Sequence, residues 1–150
     1  MCAQCVMEWP ALRAAVGVEL SSLRHAVGVE ALERLEAPLR SKVRLVEGDM
    51  LATPSGFESA TLVYVASLLF DDDFMSRLGA RLAAMPGLRA VASLRPFPPD
   101  SLPGFRDDPV NFAADATVLA DRVEVTWGAA RVFMYRRQDE EDHGAREARS

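Results

Sequence analysis

The sequence predicts an α/β fold, an open and mostly parallel sheet with helices on both faces, ended by a C-terminal antiparallel hairpin. Three observations lead there. Short β-branched runs alternate with helical stretches from residue 14 to residue 95. One of these runs, TLVYVASLLF (61–70), is nearly all apolar, as expected of a central parallel strand buried on both faces. The last two runs, VEVTW (123–127) and ARVFMYRR (130–137), are separated by two residues including Gly128, too few for anything but an antiparallel pair.

The elements follow in order. Residues 2–9 (CAQCVMEW) are mostly apolar and stop at Pro10, the signature of a helix end. AAVGVEL (14–20) is a short β-branched run bounded by two serines, a buried strand. From Ser21 to about Arg40 the apolar positions Leu23, Val27, Ala31, Leu35 and Leu39 recur every four residues, with Leu32 alongside. That spacing predicts one amphipathic helix of about five turns, N-capped by Ser21 or Ser22. The pentapeptide Ala-Val-Gly-Val-Glu occurs in both the strand and the helix, eleven residues apart. A structural repeat would need a longer period and more copies, so the duplication is a coincidence of sequence.

KVRLVEGD (42–49) is the next strand, ending in Gly-Asp. Asp71 to Asp73 sit where a helix presents its positive end, and Phe74, Leu78, Leu82 and Met85 mark that helix's apolar side as far as Pro86-Gly87. LRAVASLR (88–95) is a further strand. The Pro-rich segment PFPPDSLPGFRDDP that follows is too long for a simple connection, which makes it a candidate lid or substrate loop. From Gln138 the chain is almost wholly polar, and a disordered, solvated tail is expected over 138–150.

Composition narrows the function classes. Of 150 residues, 49% are hydrophobic and 26% charged, ordinary values for a globular chain. No apolar run reaches the roughly eighteen residues of a membrane helix, and no signal peptide is visible. A cytoplasmic or nuclear location is the default expectation, with no membrane partner. A net charge of −5 argues against a surface devoted to phosphate backbones, and no nucleic-acid motif is present. A local basic patch stays open, since all of the basic residues except Lys42 are Arg. Cys2 and Cys5 form a C-x-x-C, which suits a redox pair or half a zinc site, or simply two small apolar residues in one helical turn. With only His25 and His143 and no second Cys pair, a four-ligand zinc site is hard to assemble, and no metal is expected.

In open α/β sheets, ligands bind beyond the carboxyl ends of the strands. Glu19 stands at such an end, between Val-Gly-Val and the helix cap. A carboxylate there can accept hydrogen bonds from both ribose hydroxyls of a nucleoside cofactor, or can simply be an exposed loop acid. Asp49 ends the next strand in Glu-Gly-Asp-Met, where it could bond an adenine amino group with Met50 against the base, or cap a turn after Gly48. Glu30, the counterpart of Glu19 in the second pentapeptide, lies inside the helix and has no such place. An acid after the second strand suits nicotinamide dinucleotides and S-adenosylmethionine alike. The terminal antiparallel hairpin favours the latter.

At this point the sequence resembles the class I S-adenosylmethionine-dependent methyltransferases, a Rossmann-like fold. Within them it resembles the non-SET histone-lysine methyltransferases, the disruptor-of-telomeric-silencing family. The segments that carry the likeness are VGVELS, VEGDML, LVYVASLLFDDDFMSRL, VASLRPFPP and VEVTWGAARVFMYRR, spread over residues 14–137. The resemblance implies a partial methyltransferase domain over 1–137 with S-adenosyl-L-methionine as cofactor. Glu19 would take the ribose hydroxyls, Asp49 the adenine amino group and Met50 the face of the base. Ser67, beside Ala66, falls where the family carries an asparagine pair at the catalytic centre. Ser93, Pro96 and Phe97 would form the other side of a narrow channel for a lysine amine. A protein substrate, histone among the candidates, and a nuclear location are implied with it.

Two departures shape the expectation. Ala66-Ser67 removes amide groups from the channel, which opens the reading to a class I methyltransferase of another substrate. The family's first strand and its glycine-rich turn precede the VGVELS-like segment by one helix, and here only the helix is present. An N-terminally truncated sheet is therefore expected, and a non-catalytic methyltransferase-like fragment is the third reading.

Overall fold

The pentapeptide Ala-Val-Gly-Val-Glu folds in two ways. At Ala15–Glu19 it is a strand, β1, and at 26–30 it lies inside a helix, α2 (Ser22–Glu33). The computed structural model describes residues 2–52, 54, 56–108, 122–125 and 128–138, and these fall into two units, Met1–Ser59 and Ala60–Ser150. The architecture is mixed α/β, with a small parallel sheet in the first unit and a mixed sheet in the second. Among the described residues no helix is long and apolar enough to cross a membrane.

In the first unit, α1 (Cys2–Glu8) precedes β1, and a short helix α3 (Ala37–Arg40) joins α2 to β2 (Val43–Glu47). β1 and β2 pair in parallel, with Gly17 opposite Leu45. A Cβ on Gly17 would stand 2.9 Å from Leu45 Cδ2 and 3.1 Å from Cys2 Sγ, and one on Gly28 would stand 2.9 Å from Leu45 Cδ1. The glycines at the centre of the two pentapeptides therefore make room for the same leucine, one from the sheet and one from the helix. Ser21 caps α2, its hydroxyl accepting from the Arg24 N–H.

The expected helix over 21–40 is two helices, because Glu36 is extended ahead of Pro38 and the chain has to restart there. Its expected buried face is also displaced. Leu23 is 76% exposed and Val27 60%, while His25, Gly28, Leu32 and Leu35 turn inward. A four-residue spacing drifts around a helix of 3.6 residues per turn, so a stripe that begins at Leu23 leaves the face that Gly28 fixes against Leu45.

In the second unit, β3 (Leu62–Val65), α4 (Asp72–Ala83) and β4 (Ala90–Ser93) make a parallel crossover. β8 (Phe133–Arg137) runs antiparallel to β4 on one side and to β5 (Phe105–Asp107) on the other, giving the order β3-β4-β8-β5. β6 (Arg122–Val125) and β7 (Gly128–Arg131) pair with each other in a separate antiparallel ladder. The run 130–137 is thus not one strand. It divides at Val132, with β7 serving the hairpin and β8 the main sheet. Trp127 and residues 139–150, the bulk of the expected tail, lie outside the described residues.

Three further expectations change here. β3 is four residues long and not ten, since Ser67 turns inward and Leu94 donates to the Val65 carbonyl beyond the end of the strand. As an edge strand it leaves Leu62 59% exposed, and the strand buried at three of its four positions is β4. The Pro-rich segment is no free lid through 96–107. Phe97 and Leu102 are buried, and β5 itself emerges from it.

Asp71 caps α4, accepting from the Phe74 N–H at 2.8 Å, and Asp72 and Asp73 add charge at the helix's positive end. Met75, Leu78, Gly79 and Leu82 are its buried stripe. Arg137 holds the other end, with its Nε donating to the Leu88 carbonyl at 2.6 Å and its Nη2 to those of Ala83 and Met85. Its guanidinium also stacks 4.5 Å from the Phe105 ring centre.

Gly79 is where the Pro-rich segment meets α4. A Cβ there would lie 2.3 Å from the Ser101 carbonyl oxygen, which is backbone and cannot rotate away. Gly79→Ala gains about 1 kcal/mol of helix propensity but costs about 1–3 kcal/mol in overpacking. We expect a net loss of stability in a denaturant melt. A gain would mean that the segment does not pack there.

Candidate functional site

The carboxyl edge of the β1–β2 sheet gathers the acids of the first unit. Parallel register sets Glu19 opposite Glu47, and the Gly48 N–H donates to the Glu19 carbonyl at 2.9 Å. Glu19 Oε1 accepts from the Ser21 N–H at 2.8 Å and from Arg24 Nη2 at 3.0 Å. These contacts, the backbone N–H first, hold its carboxyl below the ordinary carboxylate range. Its second oxygen has no partner among the described residues.

Asp49 is exposed in the turn after β2. Its Oδ1 accepts from the Leu51 N–H at 2.8 Å, and its other oxygen is likewise unpartnered among the described residues. Met50 beside it is half-buried. Both expected acids thus lie at one sheet edge, each keeping one oxygen for a donor.

Two side chains at this edge escaped sequence reasoning. Glu47 takes a hydrogen bond from the Ser22 hydroxyl on Oε1, and its Oε2 lies 3.6 Å from His25 Nδ1, an ion-pair distance too long for a hydrogen bond. His25 Nε2 is buried without a partner among the described residues. The signal for Glu47 was available, because the final residues of two parallel strands stand side by side. The signal for His25 was not, since it depends on which face of α2 turns inward.

In the second unit, Ser67 and Ser93 are fully buried, and Arg95 brings them together. Ser67 Oγ accepts from the Arg95 N–H at 3.0 Å, and the Ser93 hydroxyl donates to the Arg95 carbonyl. The Arg95 guanidinium reaches the Phe70 carbonyl and, at 2.6 Å, Asp72 Oδ1 at the start of α4. Both hydroxyls therefore fasten the backbone at the exit of β4. Pro96 is exposed beside them. Phe97 is buried, its N–H donating to the Tyr135 hydroxyl at 3.0 Å and its ring edge-on to that of Tyr135 at 5.4 Å. Burial chiefly pushes the Tyr135 phenol up, so it stays a neutral acceptor.

Cys2 and Cys5 are free thiols one helical turn apart on α1, and burial pushes the Cys2 thiol up, away from the reactive thiolate. Among the described residues, no group of three His, Cys, Asp or Glu side chains could hold a metal ion.

Two outcomes follow from these bonds. Removing the Ser67 hydroxyl leaves the Arg95 N–H without its acceptor, so Ser67→Ala should lose about 1–3 kcal/mol of stability in a urea melt. An unchanged midpoint would show the bond to be dispensable. A carboxyl whose folded pKa is lowered stabilises the fold above its unfolded pKa, and that contribution fades as pH falls through the folded value. The stability gap between the native chain and Glu19→Gln should therefore shrink between about pH 7 and about pH 3. A gap independent of pH would contradict the Glu19 contacts.

No protein-family model matches the chain, and no curated protein matches it.

Proposed function

We propose that this chain carries a Rossmann-like class I S-adenosylmethionine-dependent methyltransferase domain that methylates a lysine amine of a protein, histone-lysine fashion, in the nucleus. The observation that carries the reading is β8. The last strand runs antiparallel between β4 and β5, in a sheet whose β3–β4 pair is parallel. A terminal antiparallel strand of this kind is the habit of the methyltransferase sheet, whereas dehydrogenase sheets are typically all parallel.

The donor and acceptor chemistry fits the cofactor. Ribose hydroxyls and an adenine amino group are hydrogen-bond donors, and Glu19 and Asp49 each offer one carboxylate oxygen left over from local contacts. Met50 supplies a half-buried thioether for the base. When bound, S-adenosylmethionine supplies a methyl group made electrophilic by its sulfonium sulfur. In the second unit the protein's part is positioning. Ser67, Ser93 and Phe97 are buried behind the exposed Pro96, with both serine hydroxyls already bonded to the backbone of Arg95.

One observation favours a second reading, a methyltransferase-like domain without activity. Glu19 Oε1 is already satisfied by Ser21 and Arg24, and the Ser67 hydroxyl by Arg95, as in a chain where those residues serve the fold alone.

Calorimetric titration of the chain with S-adenosylmethionine separates the two. Saturable binding, weakened on the order of tenfold or more in Asp49→Ala, is expected if the acids hold the cofactor. No binding by a chain shown to be folded by circular dichroism would leave the second reading.

A further inference from the structure

The described residues include a pocket of about 380 Å³ at the carboxyl end of α4, lined by Pro86, Gly87, Leu88, Arg89, Arg136 and Arg137. It lies within the second unit, and none of the six is among the residues assigned above to cofactor or lysine. The volume is at the small end of the roughly 300–1,000 Å³ of small-molecule sites, but the lining is unusual for one. Half of its residues are arginines, where an organic ligand would ask for mostly apolar walls.

The arginines are adjacent for a reason of topology. Arg89 enters β4 and Arg136 and Arg137 leave β8, with the Arg137 N–H donating to the Arg89 carbonyl at 2.9 Å and Ala90 paired with Arg136. Arg137 uses Nε and Nη2 on three carbonyls and so cancels the negative end of α4. Arg136 gives its Nε to Asp108. The Arg89 guanidinium, by contrast, is exposed and has no partner among the described residues, and neither has the Gly87 N–H. Three arginines thus line the pocket, one bonded to helix-end carbonyls, one to Asp108, and one, Arg89, with a guanidinium left over, in a chain whose net charge is −5. An anion beside Arg89 would give that guanidinium the counter-charge that its two neighbours already have.

We propose that this pocket binds a phosphate dianion, free or as the end group of a small phosphate monoester. The unpartnered Arg89 guanidinium offers a fork of donors to the several oxygens of a phosphate, and Arg136 and Arg137 add positive charge around it. A carboxylate brings half the charge. The Gly87 N–H offers a further donor, and the space above its Cα is open, since a Cβ there would meet nothing within 4 Å.

The test is an amide NMR titration of the full chain at low ionic strength, with inorganic phosphate, glucose 6-phosphate and acetate as separate probes. Saturable shifts around Gly87, Leu88 and Arg136 with both phosphates, and not with acetate, are expected. Arg89→Ala should weaken them on the order of tenfold. Gly87→Leu should fill the pocket and abolish them while leaving all three arginines in place. Both changes are at exposed positions, and the unperturbed amide spectrum of each variant reports that it has folded. Absence of saturation at millimolar phosphate, equal shifts with acetate, or undiminished binding in both variants would overturn the proposal.

Discussion

The second unit depends on β8 being bonded along both of its edges. A strand inserted antiparallel between β4 and β5 satisfies two rows of backbone groups at once, and it carries two side chains that tie the rest of the unit down. Tyr135 points into the core and accepts the Phe97 N–H, which fixes the exit of the Pro-rich segment from β4. Arg137 closes the last turn of α4 and the turn after it by donating to three carbonyls, of which Met85's also accepts from the Leu88 N–H. Because the guanidinium is planar and presents several donors, one arginine serves all three and still lies over the Phe105 ring. The concentration of charge beside Gly87 follows from the same placement. Once Arg137 has to cap α4 from β8, Arg136 and the paired entry of β4 are brought to the same corner.

The first unit rests on a different constraint, the close approach of α2 and β1 to Leu45. A Cβ at either position would press on a Leu45 methyl at 2.9 Å and make that side chain shift, and the two glycines avoid it. This contact decides which face of α2 turns to the sheet and therefore leaves Leu23 and Val27 outside. It also sets His25, one turn before Gly28, over the end of β2, where it meets Glu47. The place of His25 at the acidic edge is thus a consequence of packing one turn away from it.

These two constraints explain how much was legible beforehand. β1, β2, α4 and β4 could be read because each carries its own local signal, a β-branched run or a capped amphipathic stripe. Glu19 and Asp49 could be placed near strand ends for the same reason. What could not be read depends on partners distant in sequence. The break before Pro38 is local, yet the apolar spacing ran through it. β5 is three residues whose strand character exists only because Arg136 and Tyr135 lie opposite. The division at Val132 separates two ladders that no turn residue marks. β3 stops early because Ser67 is needed as an acceptor for Arg95, twenty-eight residues later.

Ser67 and Ser93 show why site residues are harder to read than elements. A small polar residue at a strand end is equally what a channel wall and what a backbone fastening require, and sequence alone does not distinguish them. Here both hydroxyls meet the same residue, one accepting from the Arg95 N–H and the other donating to its carbonyl. Buried as they are, each bond withheld would leave a backbone group unsatisfied at a cost of about 1–3 kcal/mol. The fold therefore has its own reason to keep both serines, whatever passes beside them. Glu19 differs in that its local bonds occupy one oxygen and leave the other at an accessible edge. A residue with capacity beyond what the fold consumes is the stronger evidence of a site, and by that measure the acidic edge of β1–β2 outweighs the serine pair.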